Sequence, residues 1–193
     1  MKVGVLASGE GTNLQALLDD PEIEVAAVAS DTPEARALER ARAAGVPARA
    51  FASDHAERDR TIAGWLRSRG VELVVLAGYM QLLSDEFLAE FPERVINVHP
   101  ALLPAFPGLN AVGQALEYGV KVFGVTVHFV DGGVDTGPVI LQRAIELPHA
   151  RSADEVLDRL HPIEHELLPQ AVRLIAAGVV RVEGRRVVVE SRA

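Results

Sequence analysis

Five short apolar runs, separated by four stretches of helical periodicity, constrain this chain more than any other feature. They are "KVGVLAS" (2–8), "EVAAVAS" (24–30), "VPARAFAS" (46–53), "VELVVLAG" (71–78) and "RVINVH" (94–99). Between them lie "NLQALLDD" (13–20), "PEARALERARAAG" (33–45), "AERDRTIAGWLRSRG" (56–70) and "SDEFLAEF" (84–91). The second of these has proline at its start and glycine at its end, the asymmetry expected of a helix. Strands that alternate with helices imply a parallel sheet covered by helices. The run at 71–78 is the most apolar, as a strand buried on both faces must be.

After residue 100 the rhythm changes. "NAVGQALEYG" (110–119) reads as a helix, and "KVFGVTVHFV" (121–130) and "GPVILQRAIEL" (137–147) read as two long strands joined by "DGGVDT". Such a pair is antiparallel. Residues 152–178 read as a long helical stretch opened by a capping box, Ser152 and Glu155. Pro162 and Pro169 are expected to bend or divide it. Residues 179–190 close the chain as a hairpin. The expected class is therefore α/β: a Rossmann-like, mostly parallel sheet with helices on both faces and antiparallel strands added in the C-terminal part.

The 193 residues suit one globular domain with a sizeable core. No cysteine is present, so neither disulfides nor thiolate metal sites are available. The formal net charge of −8 and the lack of a basic block argue against nucleic-acid binding. The N-terminus reads as neither a signal peptide nor a membrane span, so a cytoplasmic location without membrane contact is expected. Lys2 and Lys121 are the only lysines, so an anionic ligand falls to arginines, backbone amides or helix ends.

Two segments carry candidate chemistry. "SGEGTN" (8–13) lies between the first strand and first helix, where ligands bind in a doubly wound sheet. Gly9 and Gly11 would let the backbone turn and approach a ligand, and Thr12 and Asn13 could cap the helix. Exposed amides there suit a phosphate or carboxylate. The loop is not a dinucleotide fingerprint, because Leu14 replaces the third glycine, and no lysine follows Gly11 to make a P-loop. A capped glycine turn without a ligand is the alternative. In "INVHPALLP" (96–104), Asn97 and His99 are two apart on a strand and share a face. Pro100 keeps His99 extended. An amide donor beside an imidazole can stabilise an oxyanion and move a proton; two ordinary polar residues at a strand end would look the same.

"VDGGVDTGP" (130–138) adds Asp131 and Asp135. A carboxylate beside His99 would favour imidazolium and orient the ring. A glycine-rich hairpin with solvated aspartates is the plain alternative, and the acidic spacing fits no calcium loop. His161 and His165 are four apart on a helix but lack the companions of a zinc site, so no metal is expected.

Taken together, "SGEGTNLQ", "NVHPALLPAFPG" and "HFVDGGVDTGPVILQ" resemble the folate-dependent formyltransferases, in the expected order and spacing over essentially the whole chain. The resemblance implies one formyltransferase domain over 1–193, with a nucleotide-binding half at about 1–100 and a folate-binding half at about 101–193. It implies 10-formyltetrahydrofolate as co-substrate and glycinamide ribonucleotide as acceptor. Asn97, His99 and Asp135 would be catalytic, with His99 the proton donor and Asp135 favouring its charged form and ordering a water. Gly11, Thr12 and Asn13 would hold the ribonucleotide phosphate, and His161 and Glu164 would contact the same substrate. Met80, Gln81, Leu82 and Leu83 would offer backbone groups to the pterin, with Asn97 and the Asp131–Asp135 loop on its other side. Gln81 stands where the family commonly has arginine. His55 lies near the position of an arginine that meets the folate tail, so Arg58 or Arg60 is expected to substitute. His161 replaces a common glutamine. Oligomeric state stays open, a homodimer included.

The alternatives are another folate-dependent formyl transferase or hydrolase, or a non-catalytic nucleotide-binding module on the same scaffold. Length and charge are expected to exclude the first two, since the tRNA-formylating relative carries an extra C-terminal domain and the hydrolase an N-terminal one. The module predicts ligand binding at "SGEGTN" without turnover.

Overall fold

The structure, a computed structural model, describes residues 1–190. The backbone falls into two compact units that divide after Asn97. In the first, β1 (Lys2–Leu6), β2 (Glu24–Ser30), β3 (Ala48–Ala50), β4 (Leu73–Leu76) and the start of β5 (Val95–His99) alternate with α1 (Thr12–Leu18), α2 (Arg36–Ala43), α3 (His55–Ser68) and α4 (Asp85–Glu90); the division falls within β5, whose Val98 and His99 belong to the second unit. All four pairings are parallel, in the order β3-β2-β1-β4-β5. Val5 lies opposite both Val28 and Val75, and Val75 lies opposite Ile96; all four are fully buried. The chain steps outward from β1 to β3, then returns to β4 on the other side of β1. That reversal opens a crevice beyond the carboxyl ends of β1 and β4. The loops 7–11 and 77–84 leave those two ends.

The second unit contains α5 (Ala111–Tyr118), β6 (Val122–Phe129), β7 (Val139–Glu146), α6 (Ala153–Ala176), β8 (Val180–Glu183) and β9 (Arg186–Val189). β6 and β7 are antiparallel, as are β8 and β9. β6 is buried from Phe123 onward, whereas β7 is exposed at Gln142, Arg143 and Ala144. The fold class matches the alternation read from the sequence.

Three local expectations change. α6 runs unbroken through Pro162 and Pro169. Each proline removes one internal hydrogen bond, but Leu160, Leu167, Leu168, Ala171 and Val172 are buried along the helix, and that packing keeps it continuous. The capping box at Ser152 is half made: Ser152 Oγ accepts from the Glu155 amide, but Glu155 Oε2 accepts from the Arg151 amide rather than that of Ser152. α2 starts at Arg36, three residues beyond Pro33.

Candidate active site

The loop after β1 is shaped by its neighbours. Gly11 is left-handed (φ 72°), and the first helical bond of α1 runs from the Gln15 amide to its carbonyl. Thr12 and Asn13 are the first residues inside α1, and no side chain caps it; this corrects the expectation that they cap the helix. A Cβ on Gly11 would lie 2.7 Å from Ala37 Cα and 2.8 Å from Ala37 Cβ, whereas one on Gly9 would meet nothing. Gly11 is thus required by its own conformation and by packing on α2, before any ligand is considered. α2 grips the loop further. The Ala37 amide donates to Gly9 O, and Arg40 Nε donates to Glu10 O.

The loop after β4 is held at both ends. Ser8 Oγ accepts from the Met80 amide (2.9 Å) and donates to Asp31 Oδ1 (2.6 Å). Gln81 Nε2 donates to Asp31 Oδ2 (3.0 Å). At the other end the Ser84 amide donates to Asp59 Oδ2 (2.7 Å), and His55 Nε2 lies 2.8 Å from Leu82 O. Arg58 is only 5% exposed, and its guanidinium meets Asp59 Oδ1 at 3.2 Å. α3 explains this: Arg58, Ile62 and Leu66 repeat every four residues and are all buried. Arg58 therefore serves Asp59 instead of reaching into solvent, while Arg60 is exposed.

In the second unit Asp135 sits between two histidines. Its Oδ2 is 3.4 Å from His99 Nδ1 and accepts from the Gly108 amide at 2.7 Å; its Oδ1 is 3.4 Å from His128 Nε2. The far nitrogen of each ring faces a carbonyl: His99 Nε2 meets Phe106 O (2.9 Å) and His128 Nδ1 meets Phe129 O (2.7 Å). A carbonyl can only accept, so those nitrogens carry hydrogen. In its charged form either ring also carries a hydrogen on the nitrogen that faces Asp135. Burial pushes the Asp135 carboxyl up, but the His128 hydrogen bond, the Gly108 amide and the charges on His99 and His128 outweigh it and hold Asp135 below the usual carboxylate range. Asp135 and Phe106 are both left-handed, φ 53° and 54°. A bulky residue in that region costs energy and is held there by its surroundings, a feature that clusters at functional sites.

The segment that follows His99 is pinned by Thr126. Its hydroxyl donates to Ala101 O (2.6 Å) and accepts from the Leu103 amide and Gln142 Nε2. Asn97 and His99 lie two apart on β5, with Asn97 opposite Leu76. Asp131 spends its carboxylate on its own loop, accepting from Thr136 Oγ1 (2.6 Å) and the Gly133 amide. On α6, Glu164 is buried, and the His161 and His165 rings stack at 6.2 Å. Burial holds His165 below the ordinary histidine value, with the Glu164 charge opposing this and His161 adding to it. Among the described residues no group of three His, Asp or Glu could hold a metal ion, and no helix is long and apolar enough to cross a membrane.

His128 is the participant that sequence reasoning missed. Its signal was present: Thr126 and His128 alternate as the only polar side chains within the apolar run 125–129, on one face of one strand.

What the chain is similar to makes it an enzyme of the transferase class. The chain belongs to the formyl transferase family, whose pattern matches residues 1–172. It is similar to the phosphoribosylglycinamide formyltransferase of Bacillus subtilis (strain 168), 41% identical over 181 residues that cover 89% of this chain and 93% of the relative. It is 38% identical to the trifunctional purine biosynthetic protein adenosine-3 of Homo sapiens, over 93% of this chain and 19% of that one. In structure it resembles glycinamide ribonucleotide transformylase 1 from Symbiobacterium toebii, with a TM-score of 0.94 and 48% identity over 99% of this chain and 94% of the other.

Proposed function

We propose that the chain transfers the formyl group of 10-formyltetrahydrofolate to the amine of glycinamide ribonucleotide, as a cytoplasmic step of purine biosynthesis. The observation that carries this reading is the buried His99–Asp135 contact, 3.4 Å between Nδ1 and Oδ2, on a member of the formyl transferase family. The amine nitrogen attacks the formyl carbon and a tetrahedral oxyanion forms. The Asn97 amide donates to that oxygen. The C–N10 bond then breaks, and the proton lost by the attacking nitrogen ends on N10, giving tetrahydrofolate and the formylated amide. His99 supplies the proton to the departing nitrogen, and Asp135 stabilises the charged ring and orients water that returns the proton. His128 shares Asp135 from the opposite oxygen and keeps the carboxylate ionised.

In this reading Gly11, Thr12 and Asn13 meet the ribonucleotide phosphate, and His161 and Glu164 serve the same substrate. The Met80–Leu83 backbone meets the pterin, as does the loop that Asp131 shapes. Of the two candidate arginines for the folate tail, Arg60 is exposed and Arg58 is buried against Asp59, and Arg60 takes the tail. The test is to mix purified protein with 10-formyltetrahydrofolate and follow deformylation by absorbance, with and without glycinamide ribonucleotide. Deformylation that requires the ribonucleotide is expected. Equal rates without it would make the chain a hydrolase, and no deformylation with both ligands bound would favour the non-catalytic module.

A further inference from the structure

We infer that Asp31 is a positioning residue for the loop 78–81, acting through Ser8 and Gln81, and that the Gln81 side chain serves this frame and not the ligand. The inference rests on the proposed folate role of that loop. Asp31 follows β2, yet both of its oxygens are spent on other strand ends: Oδ1 on the Ser8 hydroxyl after β1, Oδ2 on the Gln81 amide after β4. The Ser8 hydroxyl has one hydrogen and gives it to the carboxylate, so its lone pair faces the Met80 amide. A hydroxyl polarised by a carboxylate is a stronger acceptor than a neutral one. A further bond from the Ser8 amide to Gly78 O (3.0 Å) ties the same two segments.

One carboxylate therefore fixes the backbone at residue 80 and the side chain at residue 81. On either side of the tethered Gln81 the loop exposes apolar side chains, with Met80 58% and Leu82 64% exposed. Exposed Met and Leu on a loop anchored at its base make a firm apolar edge for a flat ring, and preorganisation of that kind appears as affinity. Each oxygen of Asp31 already has a protein donor, Ser8 or Gln81, and through these the carboxylate holds the loop.

The test is steady-state kinetics of Ser8→Ala, Ser8→Thr, Gln81→Ala and the Ser8→Ala/Gln81→Ala double variant, with melting temperatures measured alongside. Loss of one hydrogen bond to a charged frame is expected to raise KM for 10-formyltetrahydrofolate about tenfold. KM for glycinamide ribonucleotide and kcat should stay within about twofold, and Ser8→Thr, which keeps the hydroxyl, should restore the folate KM. The double variant should be less than additive, because both residues act through one carboxylate. Additive losses would mean that Gln81 contacts the ligand independently and would overturn the inference. So would an unmoved folate KM in Ser8→Ala, or parallel losses in both KM values with a lowered melting temperature. Absence of deformylation by the wild-type protein would overturn both this inference and the proposed function, whereas normal wild-type turnover with an unmoved folate KM would overturn this inference alone.

Discussion

Gly11→Ala separates a glycine required by the protein from one required by a ligand. At φ 72° an L-residue in the left-handed region costs about 1–2 kcal/mol. The added methyl would lie 2.7 Å from Ala37 Cα and 2.8 Å from its Cβ, so α2 must shift. Overpacking of that kind costs about 1–3 kcal/mol. The sum, about 2–5 kcal/mol, corresponds to a fall in melting temperature of about 4–20 °C for a chain of this size. Calorimetry or a thermal-shift assay would read it. Adding Ala37→Gly should recover only part, because the clash with the backbone of residue 37 remains. Gly9→Ala, where the new methyl meets open space, should change stability by less than about 0.5 kcal/mol. A weaker affinity of Gly9→Ala for glycinamide ribonucleotide would then identify residue 9 as the place of close ligand approach. An unchanged melting temperature in Gly11→Ala, together with lost ribonucleotide affinity, would refute the packing account.

Asp135→Asn and His99→Asn should each lower turnover by about 10²–10⁴, and the double variant should be little worse than the worse single one; additive losses would show that the two residues act separately. Asn97→Ala should lower kcat by about 10²–10³ with small changes in KM, and near-normal turnover would remove its oxyanion role. The native contacts of Asp135 hold its folded pKa below that of the unfolded chain. Its stabilising contribution is therefore complete above the unfolded value of about 3.9 and is lost as pH falls through the folded value. The stability difference between wild type and Asp135→Asn should accordingly shrink on acidification below about pH 4, and a gap that widens there would contradict the assignment. The Tyr79 hydroxyl is buried without a hydrogen-bond partner among the described residues, and burial raises its pKa above the ordinary phenol value. Tyr79→Phe should raise stability by about 1–3 kcal/mol in chemical denaturation, and a clear loss would show that the hydroxyl is bonded.

The apolar periods alone determined the parallel strands and most helices, because burial on two faces leaves near-continuous Val, Leu and Ala runs such as 73–76. The spacing of Asn97 and His99 followed from the two-residue period of a strand, whatever surrounds it. The burial of Arg58 was legible: its four-residue spacing from Ile62 and Leu66 marks the inward face of α3. The continuity of α6 could not be read locally, since two prolines argue for a break and only the buried row from Leu160 to Ile175 opposes it. Nor could the partners of the buried and half-buried carboxylates. Asp31 meets residues 23 and 50 positions away, Asp59 meets Ser84 and Asp135 meets Gly108. Hydrogen bonds between segments so distant in sequence leave no period in the chain. They exist only once strand order has brought the loop ends together, so tertiary structure alone decided which polar residues hold the candidate site in place.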